Sequence, residues 1–195
     1  TPGQVNVADG AFLSFRAGGV GEWATGDINT AIGAANLNSF GGIGFDVIGT
    51  NGFVYADVLS GDLSLLKTGT GTLTLSGEST YTGATIIREG LLKAGADGSV
   101  FGLGPVALLG GSVDLDGYDV RIGHLGLGGV TGSAVVMNLG SGQLTLDGNI
   151  TYLADGNPDG ATIIGTALEC GLSLGGETRY FTVGDSTNAA VDLLL

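Results

Sequence analysis

Apolar side chains recur at every second position along most of this chain, and each such run is cut within a few residues by glycine. Period-two alternation puts one set of side chains on one face of an extended strand and the other set on the opposite face. In Gly71-Thr72-Leu73-Thr74-Leu75-Ser76-Gly77, Leu73 and Leu75 share one face, and Thr72, Thr74 and Ser76 share the other. Similar units stand at Gly61-Asp62-Leu63-Ser64-Leu65, Gly111-Ser112-Val113-Asp114-Leu115 and Gly142-Gln143-Leu144-Thr145-Leu146. Glycine makes up 40 of the 195 residues against 3 Pro, with no triplet period, so a collagen-like triple helix is excluded. Long helices are not expected either, because each interior Gly costs about 1 kcal/mol relative to Ala.

Short strands broken at glycine corners fit a chain that winds repeatedly round one axis. The expected fold is all-β, a right-handed parallel β-helix (solenoid) in which successive coils stack about 4.8 Å apart over a Leu, Ile and Val interior. The whole of 1-195 is read as one solenoid domain, with a repeat core at 61-92 and the start of a further copy at 179-195. An antiparallel β-sandwich remains the alternative, since Asn51-Gly52 and Asp116-Gly117 are two-residue hairpin signals. Phe45 through Asp57 and Phe181 through Asp192 share an aromatic start, an Asn and a late Asp, a self-similarity of about 135 residues.

Nineteen Asp and Glu against six Lys and Arg give a formal net charge of −13. Phosphate recognition needs clustered cations, so nucleic acid is not an expected partner. With 43% hydrophobic and 13% charged residues the chain has enough apolar material for a core. No apolar run reaches the 18 or so residues of a membrane helix, and the start at Thr1 lacks a signal-peptide pattern. A start without Met and a terminal Val191-Asp192-Leu193-Leu194-Leu195 that reads as a severed strand lead us to expect a piece of something longer.

The segment from Leu65 through Lys67-Thr68-Gly69-Thr70-Gly71-Thr72-Leu73-Thr74-Leu75-Ser76-Gly77 and Thr80-Tyr81-Thr82-Gly83 to Leu92 closely resembles the autotransporter-associated β-strand repeat, also called the passenger-associated transport repeat. The stretches Ala11 to Arg16 and Gly19 to Trp23 look like segments that precede this repeat, and Arg179 to Asp185 looks like entry into another copy. The resemblance implies an extracellular β-helix on a bacterial cell surface, where the repeat helps a passenger fold and leave the outer membrane. It implies a scaffold, stalk or adhesin and not an enzyme, with neighbouring repeats, copies of itself or surface glycans as partners. A complete autotransporter ends in a membrane β-barrel, and no such strand pattern occurs in these residues.

Several residues carry more specific expectations. Gly41-Gly42-Ile43-Gly44-Phe45-Asp46 matches a calcium nonapeptide pattern, so Asp46 with Gly41, Gly42 and Gly44 is a candidate calcium site against a plain glycine corner; no other cofactor is expected. Alternation places Asp114 and Asp116 on one outer face near Arg121, the arrangement a carbohydrate-active β-helix would need. Leu193, Leu194 and Leu195 offer an open edge for head-to-tail stacking into a filament or layer. Tyr81 is expected to cap the apolar stack with its hydroxyl in water, Cys170 to be buried, and His124, the lone histidine, to sit at a strand end. Trp23 and Tyr55 are read as core or capping rings that could also stack on sugars.

Overall fold

A computed structural model describes residues 5–37, 41–128, 135–154, 160–165, 170–185 and 193–195. Every named strand pairing is parallel, so the antiparallel sandwich is ruled out and the chain winds as a parallel β-helix. One face is an eight-stranded sheet of β2 (Phe12–Arg16), β4 (Gly42–Asp46), β6 (Ser64–Thr68), β8 (Thr85–Ile87), β10 (Val106–Leu108), β13 (Leu125–Gly128), β16 (Ile150–Leu153) and β19 (Phe181–Val183), stacked in chain order. A second face holds seven strands: β5 (Gly52–Tyr55), β7 (Thr72–Leu75), β9 (Leu91–Ala94), β11 (Ser112–Asp114), β14 (Val135–Gly140), β17 (Ala161–Gly165) and β20 (Leu193–Leu194). The third face is a sheet only toward the C-terminal side, as β12 (Val120–Ile122), β15 (Gln143–Leu146) and β18 (Gly171–Ser173). A small pair, β1 (Asn6–Val7) and β3 (Asn36–Leu37), completes the strands.

Both hairpin signals are corners. Asn51-Gly52 leads from β4 in the first sheet to β5 in the second, and Asp116-Gly117 leads from β11 to β12. Asp116 (φ 53) and Gly117 (φ 86) do adopt the left-handed backbone that such a dipeptide favours, but the turn is spent on changing sheets. The four Gly-x-apolar-x-apolar units likewise fall on different faces: Leu63 and Leu65 at the first, Leu73 with Leu75 and Val113 with Leu115 at the second, Leu144 and Leu146 at the third. They mark how any strand of this solenoid is written and not one position in a repeat.

Interior columns run the length of the stack. Ile43, Leu65, Thr85, Val106, Leu125 and Ile150 are register neighbours in the first sheet and are all buried. Leu73 and Leu75 are buried as expected, each contributing about 2 kcal/mol of transfer free energy. Corner glycines let the coils approach. Gly69, Gly90 and Gly111 stack at nearly one φ (72, 73 and 73), and a Cβ on Gly90 or Gly111 would lie 2.3 Å from the carbonyl oxygen of the glycine one coil before. Any side chain there would both strain the backbone and force the coils apart.

Coil length varies. Leu59 and Ser79, bonded between adjacent coils, are 20 residues apart, whereas Arg16 and Asp46, paired across β2 and β4, are 30 apart. The extra length near the N-terminal side holds α1 (Thr25–Ala34), a ten-residue helix, short as the glycine content requires, that the strand pattern did not announce. Gly26 and Gly33 lie in its first and last turns, and between them Ile28, Ala31 and Ile32 present one face to the core. Phe45 and Phe181 share the first sheet but sit two register positions apart, because Phe45 aligns with Val183 through Lys67, Ile87, Leu108, Leu127 and Tyr152. The expected long self-similarity is therefore not kept in register there, and its late Asp192 lies outside the described residues.

Candidate functional site

The two ends of the stack are built differently. At the N-terminal end Phe15 of the edge strand β2 is only 2% exposed, covered by Trp23, whose ring meets it edge-on with centroids 5.1 Å apart. Trp23 bridges back to Ala17, and α1 lays Ile28 into the core beside it. Tyr55 of β5 is tied to the helix: its buried hydroxyl donates to Asn29 Oδ1 at 2.7 Å, and Asn29 Nδ2 reaches the Asp57 carboxylate. Burial, with Asp57 nearby, pushes the Tyr55 phenol up to about 12. Between helix and coil lies an open cleft of about 480 Å³, lined by Asn29, Ile32, Tyr55, Asp57, Leu59 and Leu63 among others.

The C-terminal end has no such roof among the described residues. Phe181 and Val183 of β19 are 40% and 48% exposed, although they continue the interior columns that end in buried Ile150 and Tyr152. Leu194 and Leu195 are exposed on the second face, and Leu193, half-buried, packs on the core through β20 against β17. An unpaired parallel edge with apolar side chains on the inward side is what a stack presents where another coil can be added.

The sequence-derived candidates fall elsewhere. Gly42 and Gly44 are not at a corner: they lie inside β4, where a Cβ would strike the Phe12 ring at 2.3 Å and Ser14 Oγ at 2.2 Å of the neighbouring strand. Asp46 pairs with Arg16, its register partner, at 3.0 Å. Among the described residues no three His, Cys, Asp or Glu gather into a metal-holding group.

Strand β11 ends at Asp114, but the alternation of burial runs on through buried Leu115 to exposed Asp116, and both carboxylates lie by Lys93. Asp114 Oδ1 accepts from the Asp116 amide at 2.9 Å and from Asn138 Nδ2 at 3.2 Å, Asp116 pairs with Lys93 at 3.0 Å, and Arg121 pairs with Asp147. The carboxylates are thus engaged in an outer ladder of polar partners. His124 does lie at a strand end, exposed, with Nδ1 accepting from the Asn149 amide of the next coil at 3.0 Å. Cys170 is half-buried and not fully buried, against Gly165.

Two residues of the motif are placed where sequence reasoning did not put them. Tyr81 is fully buried, its hydroxyl paired with Thr85 Oγ1, which in turn donates to the Phe101 carbonyl. The ring fills space that a Cβ on Gly102 would need, so Tyr81 docks on the next coil and does not reach water. Lys67 is fully buried too. The alternation Leu65-x-Lys67 marks it as inward-facing, but an inward lysine contradicts the usual exposure of that residue type.

Residues 65–94 match the passenger-associated-transport-repeat family. The chain is also 34% identical over 111 residues to "Adhesin BmaC autotransporter" of Brucella suis biovar 1 (strain 1330). That similarity covers 55% of this chain and 3% of the relative, so the chain spans a small fraction of the relative's length. No solved structure matches it. No helix among the described residues is long and apolar enough to cross a membrane. Residues 65–94 thus carry the passenger-associated-transport-repeat motif on strands β6 to β9 of coils stacked in parallel, and over part of its length the chain is similar to an autotransporter adhesin.

Proposed function

We propose that this segment is a structural length of a secreted, cell-surface autotransporter passenger, a scaffold or stalk that is roofed on one side of the stack and open on the other, and not a catalyst. The observation that carries this reading is the contrast between buried Phe15 and exposed Val183, which occupy one interior column at opposite ends of the stack. A coil added beyond β19 and β20 would cover Phe181, Val183, Leu194 and Leu195 and continue the existing columns without any new architecture. Repetition of this kind transmits rigidity along the axis, which suits a part that holds other regions away from a surface. The outer acids, engaged with Lys93, Asn138 and Arg121, give no support to glycan cleavage. The relative is named an adhesin, and an adhesive role here, with surface glycans as partners, would rest on the exposed outer faces.

Electron microscopy of the purified chain, with light scattering across a concentration series, tests this reading. The expected result is short rods about 34 Å along the stack, from eight strands at the strand spacing. Filaments lengthening with concentration would replace it with self-assembly through Leu193, Leu194 and Leu195. That outcome requires α1 and Trp23 to leave the roofed end, since head-to-tail stacking needs both ends open.

A further inference from the structure

Lys67 stands in a column whose other buried members are Phe15, Phe45, Ile87, Leu108, Leu127 and Tyr152. Its stem packs between Phe45 and Ile87 as a hydrophobic side chain would. An ammonium carried into such a column needs a partner for every N–H, or burial becomes prohibitive. The partners are not carboxylates. Nζ donates to the carbonyl oxygens of Thr68 at 2.6 Å, Gly69 at 2.6 Å and Glu89 at 3.2 Å. Three donors meet three acceptors.

The oxygens are brought together by the glycine corner. Gly69 and Gly90, both in the left-handed region, turn the backbone so that two coils present carbonyls to one point, and a Cβ on Gly90 would stand 2.9 Å from Nζ. Burial pushes the Lys67 ammonium down from its ordinary 10.5 to about 8, while Asp46 and Glu89 pull the other way. It is therefore still mainly charged at neutral pH. Without it, the Gly69 and Glu89 carbonyls would lose this donor in an apolar interior, a loss that folded chains avoid, while the Thr68 carbonyl would keep the Val47 amide at 3.1 Å.

We propose that the corner formed by Thr68, Gly69 and Glu89 is a backbone-built cation site for a primary ammonium, and that Lys67 is its tethered occupant. The site joins one coil to the next, because Glu89 lies 22 residues beyond Lys67. Its specificity comes from three N–H groups facing three fixed oxygens, which a quaternary ammonium lacks altogether.

Thermal unfolding of three forms of the chain at pH 7 tests the site. Lys67→Met keeps most of the stem volume and deletes the donors, so its midpoint should fall by several degrees; a midpoint equal to that of the unaltered chain would overturn the proposal. Lys67→Ala opens the space of three methylenes and an ammonium, which n-propylammonium matches atom for atom. Adding propylammonium chloride at about 100 mM should raise the Lys67→Ala midpoint by several degrees through binding to the folded state alone. Tetramethylammonium, sodium and potassium should not, and the unaltered chain and Lys67→Met should not respond. If Lys67→Ala is unfolded by itself, the same salt should restore its β-sheet circular dichroism. An equal response to all four cations, or none in either readout, would overturn the site.

Discussion

Phe15 and Val183 sit in the same column at opposite edges of the eight-stranded sheet, and only the first is sealed from water. The difference is not in the strands, since both are short parallel edges with an inward apolar residue. It lies in what the chain does next: after Phe15 it spends 30 residues on one coil and uses the surplus to lay Trp23 and α1 over the edge, whereas nothing described covers β19. An end of a solenoid is thus a matter of insertion and not of strand design. The capping device is local, a helix and a ring, while the open end is the ordinary state of every coil before its successor arrives.

The largest test of this contrast is truncation at matched positions. Phe15→Ala should cost about 3–5 kcal/mol in denaturant unfolding, as for a buried aromatic in a packed core. Val183→Ala should cost under about 0.5 kcal/mol, as for an exposed side chain. Equal losses at the two positions would mean that the open end is covered in solution.

A smaller effect is expected from alkali at the roofed end. Tyr55 has its phenol raised to about 12 by burial, with a further push from Asp57, against an unfolded value of 10. Its folded state holds the proton longer than the unfolded state, so stability is intact below pH 10 and is lost as pH rises toward 12. Burial raises Tyr81 in the same direction, so the window is shared. Lys67 acts with the opposite sign: lowered to about 8, it releases its proton earlier when folded and adds stability between about 8 and 10.5. A Tyr55→Phe chain should lose less stability between pH 10 and 12 than the unaltered chain, on the order of 1–2 kcal/mol less. An identical alkaline limb would mean that the helix does not bury this phenol.

The smallest effect concerns calcium. Asp46 is already bound to Arg16, so a chelator should leave the melting temperature within a degree of its value in calcium. A fall on chelation would assign a cation to Gly41, Gly42, Gly44 and Asp46 and tie the stability of the roofed end to it.

Much of the architecture was legible from residues alone. Leu73 and Leu75 are inward because alternation is a local property of an extended backbone, and the motif around them identified the family that residues 65–94 match. The helix was not legible, because Gly26 and Gly33 masked the spacing of Ile28, Ala31 and Ile32. Tyr81 and Lys67 were misjudged or passed over for a different reason. Each is buried by atoms of the next coil, Gly102 for the ring and Glu89 for the ammonium, about 20 residues away in sequence.

The sequence by itself determined the strand grammar, the glycine corners and the acidic, helix-poor character of the chain, since these depend on backbone sterics and on which face each side chain takes. Tertiary structure alone decided which coil neighbours which, which glycines carry a stacked carbonyl, where an inward lysine finds three acceptors, and which end of the stack is closed. Those outcomes arise from contacts between coils that meet only after the chain has wound on itself, and no local pattern of residues encodes the far partner.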